Sequence, residues 1–130
     1  MAMSDFLEDT ILEMVLNSVA YSEPASVFIA LFTAAPSDAG GGTEVTGGSY
    51  ARQQLTAGFT VAGTATRASN TAAITFPQAT AAWGTVTHIG IFDAVSGGNL
   101  LFHGALTTSK VVGDTDQLEF PADSLGVTLA

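Results

Sequence analysis

His88 and His103 are the two side chains best suited to hold a metal ion. The Ser96-Gly97-Gly98 turn signal between them would fold their segments into a hairpin and set them almost opposite each other. A zinc site needs further ligands, and Asp93 is the nearest acid that can supply one. Two ordinary sheet histidines, bonded to each other or to threonines, are the simpler reading, because this ligand set is too small to define a site. Serine, histidine and carboxylate are all present, but no Gly-x-Ser-x-Gly elbow presents a nucleophile, and Gly47-Gly48-Ser49 lacks that spacing. Gly40-Gly41-Gly42 runs into Thr43-Glu44 and not into the Gly-Lys-Ser/Thr of a phosphate loop. Asp114, Asp116, Glu119 and Asp123 lack calcium-loop spacing and read as a solvated acidic edge. There is no cysteine, which removes thiolate chemistry and disulfides. These residues predict no enzyme, no cofactor and no metal.

The composition points elsewhere. Charged residues make up 12% of the chain, against about 25% in ordinary soluble domains. The surface must then be mainly Thr, Ser, Ala, Gly and Gln, which costs little to desolvate. Such a surface suits a protein packed against neighbours; the alternative is a monomer with a neutral, Thr-rich exterior. The net charge is −9, and the basic residues are Arg52, Arg67 and Lys110 alone. That is too little positive charge to neutralise phosphates, so neither nucleic acid nor an anionic membrane is an expected partner. No apolar stretch is long enough to span a bilayer and no signal peptide is visible, so synthesis in the cytoplasm is expected.

The 130 residues fit one domain, 1–130, with a helix over 4–17 and a β-sandwich over 26–129. Ser4 is a candidate N-cap, and Asp5, Glu8 and Asp9 complement the helix dipole. Leu7, Ile11, Met14 and Val15 form an apolar stripe, which Phe6, Leu12 and Leu16 widen. A stripe of this kind usually docks on its own β core; a neighbouring subunit is the alternative. Pro24 prevents the helix from continuing.

Val27–Thr33 is a continuous apolar run and reads as a strand buried on both faces. A long loop, Ala34–Ser49, holds Gly40, Gly41 and Gly42 and is either mobile or an interaction arm. Further strands are expected at Tyr50–Leu55, Phe59–Val61, Asn70–Phe76, Thr85–Phe92, Leu100–Leu106, Gln117–Phe120 and Leu125–Leu129, with a turn over Gly63–Ser69. In Thr85–Phe92, alternation places Val86, His88 and Gly90 on one face and Thr87, Ile89 and Ile91 on the other. The fold class is mainly β: an antiparallel sandwich or jelly roll of about eight strands with one N-terminal helix. Trp83 reads as a plug at the end of the core, with an exposed contact for a sugar or a subunit as the alternative.

Three blocks carry a family resemblance. The first is Pro24-Ala25-Ser26-Val27-Phe28-Ile29-Ala30-Leu31-Phe32-Thr33 with Pro36-Ser37-Asp38-Ala39-Gly40 and Thr43-Glu44-Val45. The second is Gly47-Gly48-Ser49-Tyr50-Ala51-Arg52. The third joins Ile74-Thr75-Phe76-Pro77, the run Trp83 to Asp93, and Ser96-Gly97-Gly98-Asn99-Leu100-Leu101. Their order and spacing resemble small virion structural proteins of tailed bacteriophages, which are labelled tail-fibre-like or are capsid cement and decoration proteins. The resemblance implies a non-enzymatic virion protein without catalytic residues. It implies a capsid cement protein bound to the major capsid protein, or else a tail-fibre or tail-tip component. Self-association as a dimer or trimer is expected. The residues expected at an interface are Phe6, Leu7, Ile11 and Met14 of the helix, Gly40, Gly41 and Gly42 of the loop, and Tyr50 and Trp83.

Overall fold

The computed structural model describes residues 1–63 and 66–129. These residues form one helix and eleven strands: β1 (Ala2–Met3), α1 (Asp5–Leu16), β2 (Phe28–Ala34), β3 (Thr43–Glu44), β4 (Gln53–Gln54), β5 (Phe59–Val61), β6 (Arg67–Asn70), β7 (Ile74–Thr75), β8 (Gly84–Phe92), β9 (Leu100–Val112), β10 (Glu119–Phe120) and β11 (Gly126–Thr128). The large sheet runs β1-β9-β8-β2-β3, with β4 also paired to β2. A three-stranded sheet, β11-β6-β5, and a two-stranded one, β10-β7, complete the β structure. Every strand pairing is antiparallel. The chain is therefore mainly β with an N-terminal helix, as its periodicity predicts.

One core joins the sheets. Ile29, Leu31, Ile89 and Ile91 of the large sheet meet Ile74, Phe120 and Val127 of the smaller ones and Phe76, which follows β7. The apolar run of β2 is buried on both faces, since Ile29, Ala30, Leu31 and Phe32 are all enclosed. On the face of β2 away from this core, Phe32 stacks on Phe92 with ring centroids 6.2 Å apart. Gly90 lies beneath that pair, and a Cβ there would come within 2.9 Å of Phe32. The aromatic rings make this site too crowded for any side chain.

Where structure and alternation differ, a local feature is the cause. A bulge between Val86 and His88 shifts the register of β8 on β9. Val86 then shares the core with Ile89 and Ile91, not the opposite face with His88. The Asn70–Phe76 strand is interrupted because the Asn70 side-chain amide donates to the Ala72 carbonyl at 2.9 Å, turning the chain. Of Tyr50–Leu55 only β4 pairs, because Gly47, Gly48 and Ser49 have φ of +73°, +55° and +64° and form a turn running into Tyr50. These short pairings, together with β1 and β3, raise the strand number above the expected eight or so. The turn expected over Gly63–Ser69 falls partly on residues 64 and 65, outside the described residues, and its last three positions belong to β6.

Candidate assembly interface

The helix forms where its caps place it. The Ser4 hydroxyl accepts from the Leu7 N–H at 3.3 Å and donates to the Leu100 carbonyl. The Ser4 and Asp5 N–H groups donate to the carbonyls of Leu101 and Asp38, both at 2.9 Å. The first turn is thereby fixed to β9 and to the glycine loop. At the other end, Ser18 takes a left-handed φ of +56°, and the N–H groups of Asn17 and Val19 donate to the Glu13 carbonyl. That cap ends the helix well before Pro24.

None of the residues of α1 is fully buried. Phe6 and Met14 are exposed, while Leu7 and Ile11 are half-buried. The expected docking of the stripe on the protein's own core is only partial: two of its residues are half covered and none joins the core cluster. The most exposed apolar positions are Leu12, Val15 and Leu16, at 54%, 66% and 72%. They follow i, i+3, i+4 spacing and share one side of the last turns, with Glu8 and Asp9 on the same side one turn earlier. The interface expectation centred on Phe6, Leu7, Ile11 and Met14 left it out.

The glycine loop is a folded structure. Ser37 and Gly40 pair through their backbones, and the Ser37 hydroxyl donates to the Gly40 carbonyl at 2.9 Å. Gly42 has φ +77°, and a Cβ there would lie 2.7 Å from the Pro36 nitrogen. Gly40 and Gly41 have open space around them, so this tip presents bare backbone.

Glu44, Arg52 and Tyr50 lock the base of the loop. The Arg52 guanidinium donates to both Glu44 carboxylate oxygens at 2.8 Å and to the carbonyls of Ala94 and Gly97 at 3.0 and 2.8 Å. It also lies 3.7 Å from the centre of the Phe92 ring. The Tyr50 hydroxyl donates to Glu44 at 2.9 Å and accepts from the Leu31 N–H at 3.0 Å. Burial, followed by the neighbouring Glu44 charge, pushes the Tyr50 phenol well above its ordinary range. Tyr50 also packs edge-on against Trp83, 5.5 Å between centroids, and stacks on Phe76. Trp83 is buried, and its indole N–H donates to the Gly48 carbonyl at 2.9 Å. Of the expected interface residues, Trp83 is thus enclosed in the core, while Tyr50 is half-buried and packs against it.

The histidine constellation does not assemble. His103 pairs with Gly90, so His88 lies diagonal to it, opposite Ala105. His88 Nδ1 is 2.8 Å from the Thr87 hydroxyl, and His103 Nε2 is 2.8 Å from Asp38 Oδ1. Asp93 binds the backbone and side-chain amides of Asn99 at 2.7 and 2.9 Å, closing its own hairpin. Among the described residues no group of three potential ligands converges. His103 and Asp93 are thus used to fix loops, and His88 bonds its neighbour in β8.

No match was found among curated proteins. Residues 2–128 match the family described as podophage GP4 fiber I protein gp80, which spans nearly the whole chain. The helix, the glycine loop and the central hairpin all fall within that match, and the chain belongs to this tail-fibre-like family of phage virion structural proteins.

Proposed function

We propose that the protein is a subunit of a tail-fibre-like appendage and builds it through contacts with copies of itself. The observation that carries this reading is α1, which is apolar on most sides yet buries no residue. A helix of this length is marginal alone in water, and an apolar surface this broad is stable where it is enclosed. A neighbouring subunit supplies that enclosure. Membership of a fibre family supports the tail as the site of action. The function is mechanical: rigid sheets joined end to end or side by side.

A capsid cement role, with the major capsid protein as partner, is the second reading. It is favoured by the sparse charge, since few ions need be stripped of water when the protein docks on a shell. It would stabilise the head by binding assembled shell and not free subunits. Copy number separates the two. Mass spectrometry of purified particles, with gold-labelled antibody seen by electron microscopy, should find few copies, at the tail. Hundreds of copies over the head would replace the fibre reading with the cement reading.

A further inference from the structure

The sandwich is open on one side, at a recess of about 380 Å³ between the large sheet and the three-stranded sheet. Ile91, Leu101 and Phe102 form one wall; Phe59, Val61 and Val127 form the other. Two consecutive residues of β9 reach it because the register shift opposite Ile91 and Phe92 leaves Leu101 without a partner. Val61 is 72% exposed at the rim. No residue of α1 lines the recess.

We propose that this recess receives the Leu12, Val15 and Leu16 face of α1 from a second copy, in a head-to-tail contact. The inference rests on the fibre-subunit reading and names both halves of its contact. Each copy carries one apolar projection and one apolar hollow, and α1 is tied by Ser4 and Asp5 to β9 and the glycine loop. Charge selects this hollow among the surfaces of an acidic chain. The helix bears Asp5, Glu8, Asp9 and Glu13 and no base, so it is repelled by most of a copy with net charge −9. None of the residues lining the recess is acidic, and Arg67 is among them, donating to Asp123 at 3.1 Å. A projection and a hollow on different parts of one subunit make a heterologous contact, which propagates into a ring or a filament.

The test uses the full chain and two variants at exposed positions. One is Val15→Asp with Leu16→Asp; the other is Val61→Asp, and circular dichroism melting checks that each folds. In sedimentation velocity the wild type is expected to form oligomers that grow with concentration over about 1–200 μM, and each variant to weaken association by about tenfold or more. An equimolar mixture of the variants pairs one intact recess with one intact helix, so a 1:1 dimer and nothing larger is expected. A wild type that stays monomeric overturns the proposal, leaving α1 to close on its own recess or on another virion protein. Either variant associating like the wild type overturns it in favour of an isologous contact, as does a mixture that stays monomeric. The particle location and copy number decide the fibre reading separately: a tail protein that fails here loses only this contact.

Discussion

Arg52 gives its guanidinium to four acceptors and rests on Phe92, with only 7% of its side chain exposed. Removing it leaves Glu44 without its counter-charge, with Tyr50 still donating to it, and two carbonyls without this donor in a partly enclosed site. Arg52→Ala should therefore cost about 3 kcal/mol, read as a lower midpoint in urea unfolding. Arg52→Lys keeps the charge but not the planar fork, and should recover only part of that loss. Tyr50 behaves differently because its proton is what burial protects. The folded phenol titrates above its ordinary value of 10.0, so its stabilising contribution is complete below that pH and falls as pH rises further. Tyr50→Phe should lower the melting temperature at neutral pH, where its two hydrogen bonds are lost. It should also flatten the decline in melting temperature above about pH 10. An equally steep decline in the variant would assign the alkaline sensitivity to another group.

At the scale of elements, α1 is attached through its first turn, where Ser4 makes most of the bonds. The Ser4 side chain both caps the helix and reaches the Leu100 carbonyl, while its backbone bonds Leu101. Ser4→Ala should cost about 1–2 kcal/mol. Because the body of the helix meets little else, the loss should appear locally: amide hydrogen exchange should quicken across Asp5–Leu16 and stay unchanged in β2 and β8. Uniform acceleration would mean that the helix is part of the global fold. The periodicity of this helix was legible in its sequence. Its only partial docking was not, because the spacing of apolar residues gives a direction but not what lies in that direction. The strands show the same division. β2 is mostly an apolar run and β8 an alternating one, and both could be read directly as strands. Val86 changed face because a bulge in the β8–β9 pairing intervenes, and that irregularity belongs to two strands at once.

At the scale of the molecule, twelve acids against three bases leave a field that opposes contact between copies. Added salt screens that field while leaving apolar burial intact. Self-association should therefore strengthen as sodium chloride rises from about 20 to 500 mM, measured by sedimentation velocity at fixed protein concentration. Weakening with salt would mean that ion pairs, not apolar surface, hold the copies together.

The sequence by itself determined the β class, the N-terminal helix with its Ser4 cap, the doubly buried β2 and the absence of a recognisable catalytic motif. These follow from residue type and short-range spacing, which act through neighbours along the chain. It also carried the phage resemblance, through the order of three blocks. Only the tertiary structure decided what the polar and aromatic residues are for. Glu44, Tyr50, Arg52 and Ala94 are separated by as many as 50 positions along the chain, and the fold makes them one lock. The fold likewise enclosed Trp83, sent His88 and His103 to different partners, and opened the recess between two sheets. Hydrogen bonds and packing of this kind join residues distant in sequence, and a local pattern holds no record of which distant residues will meet.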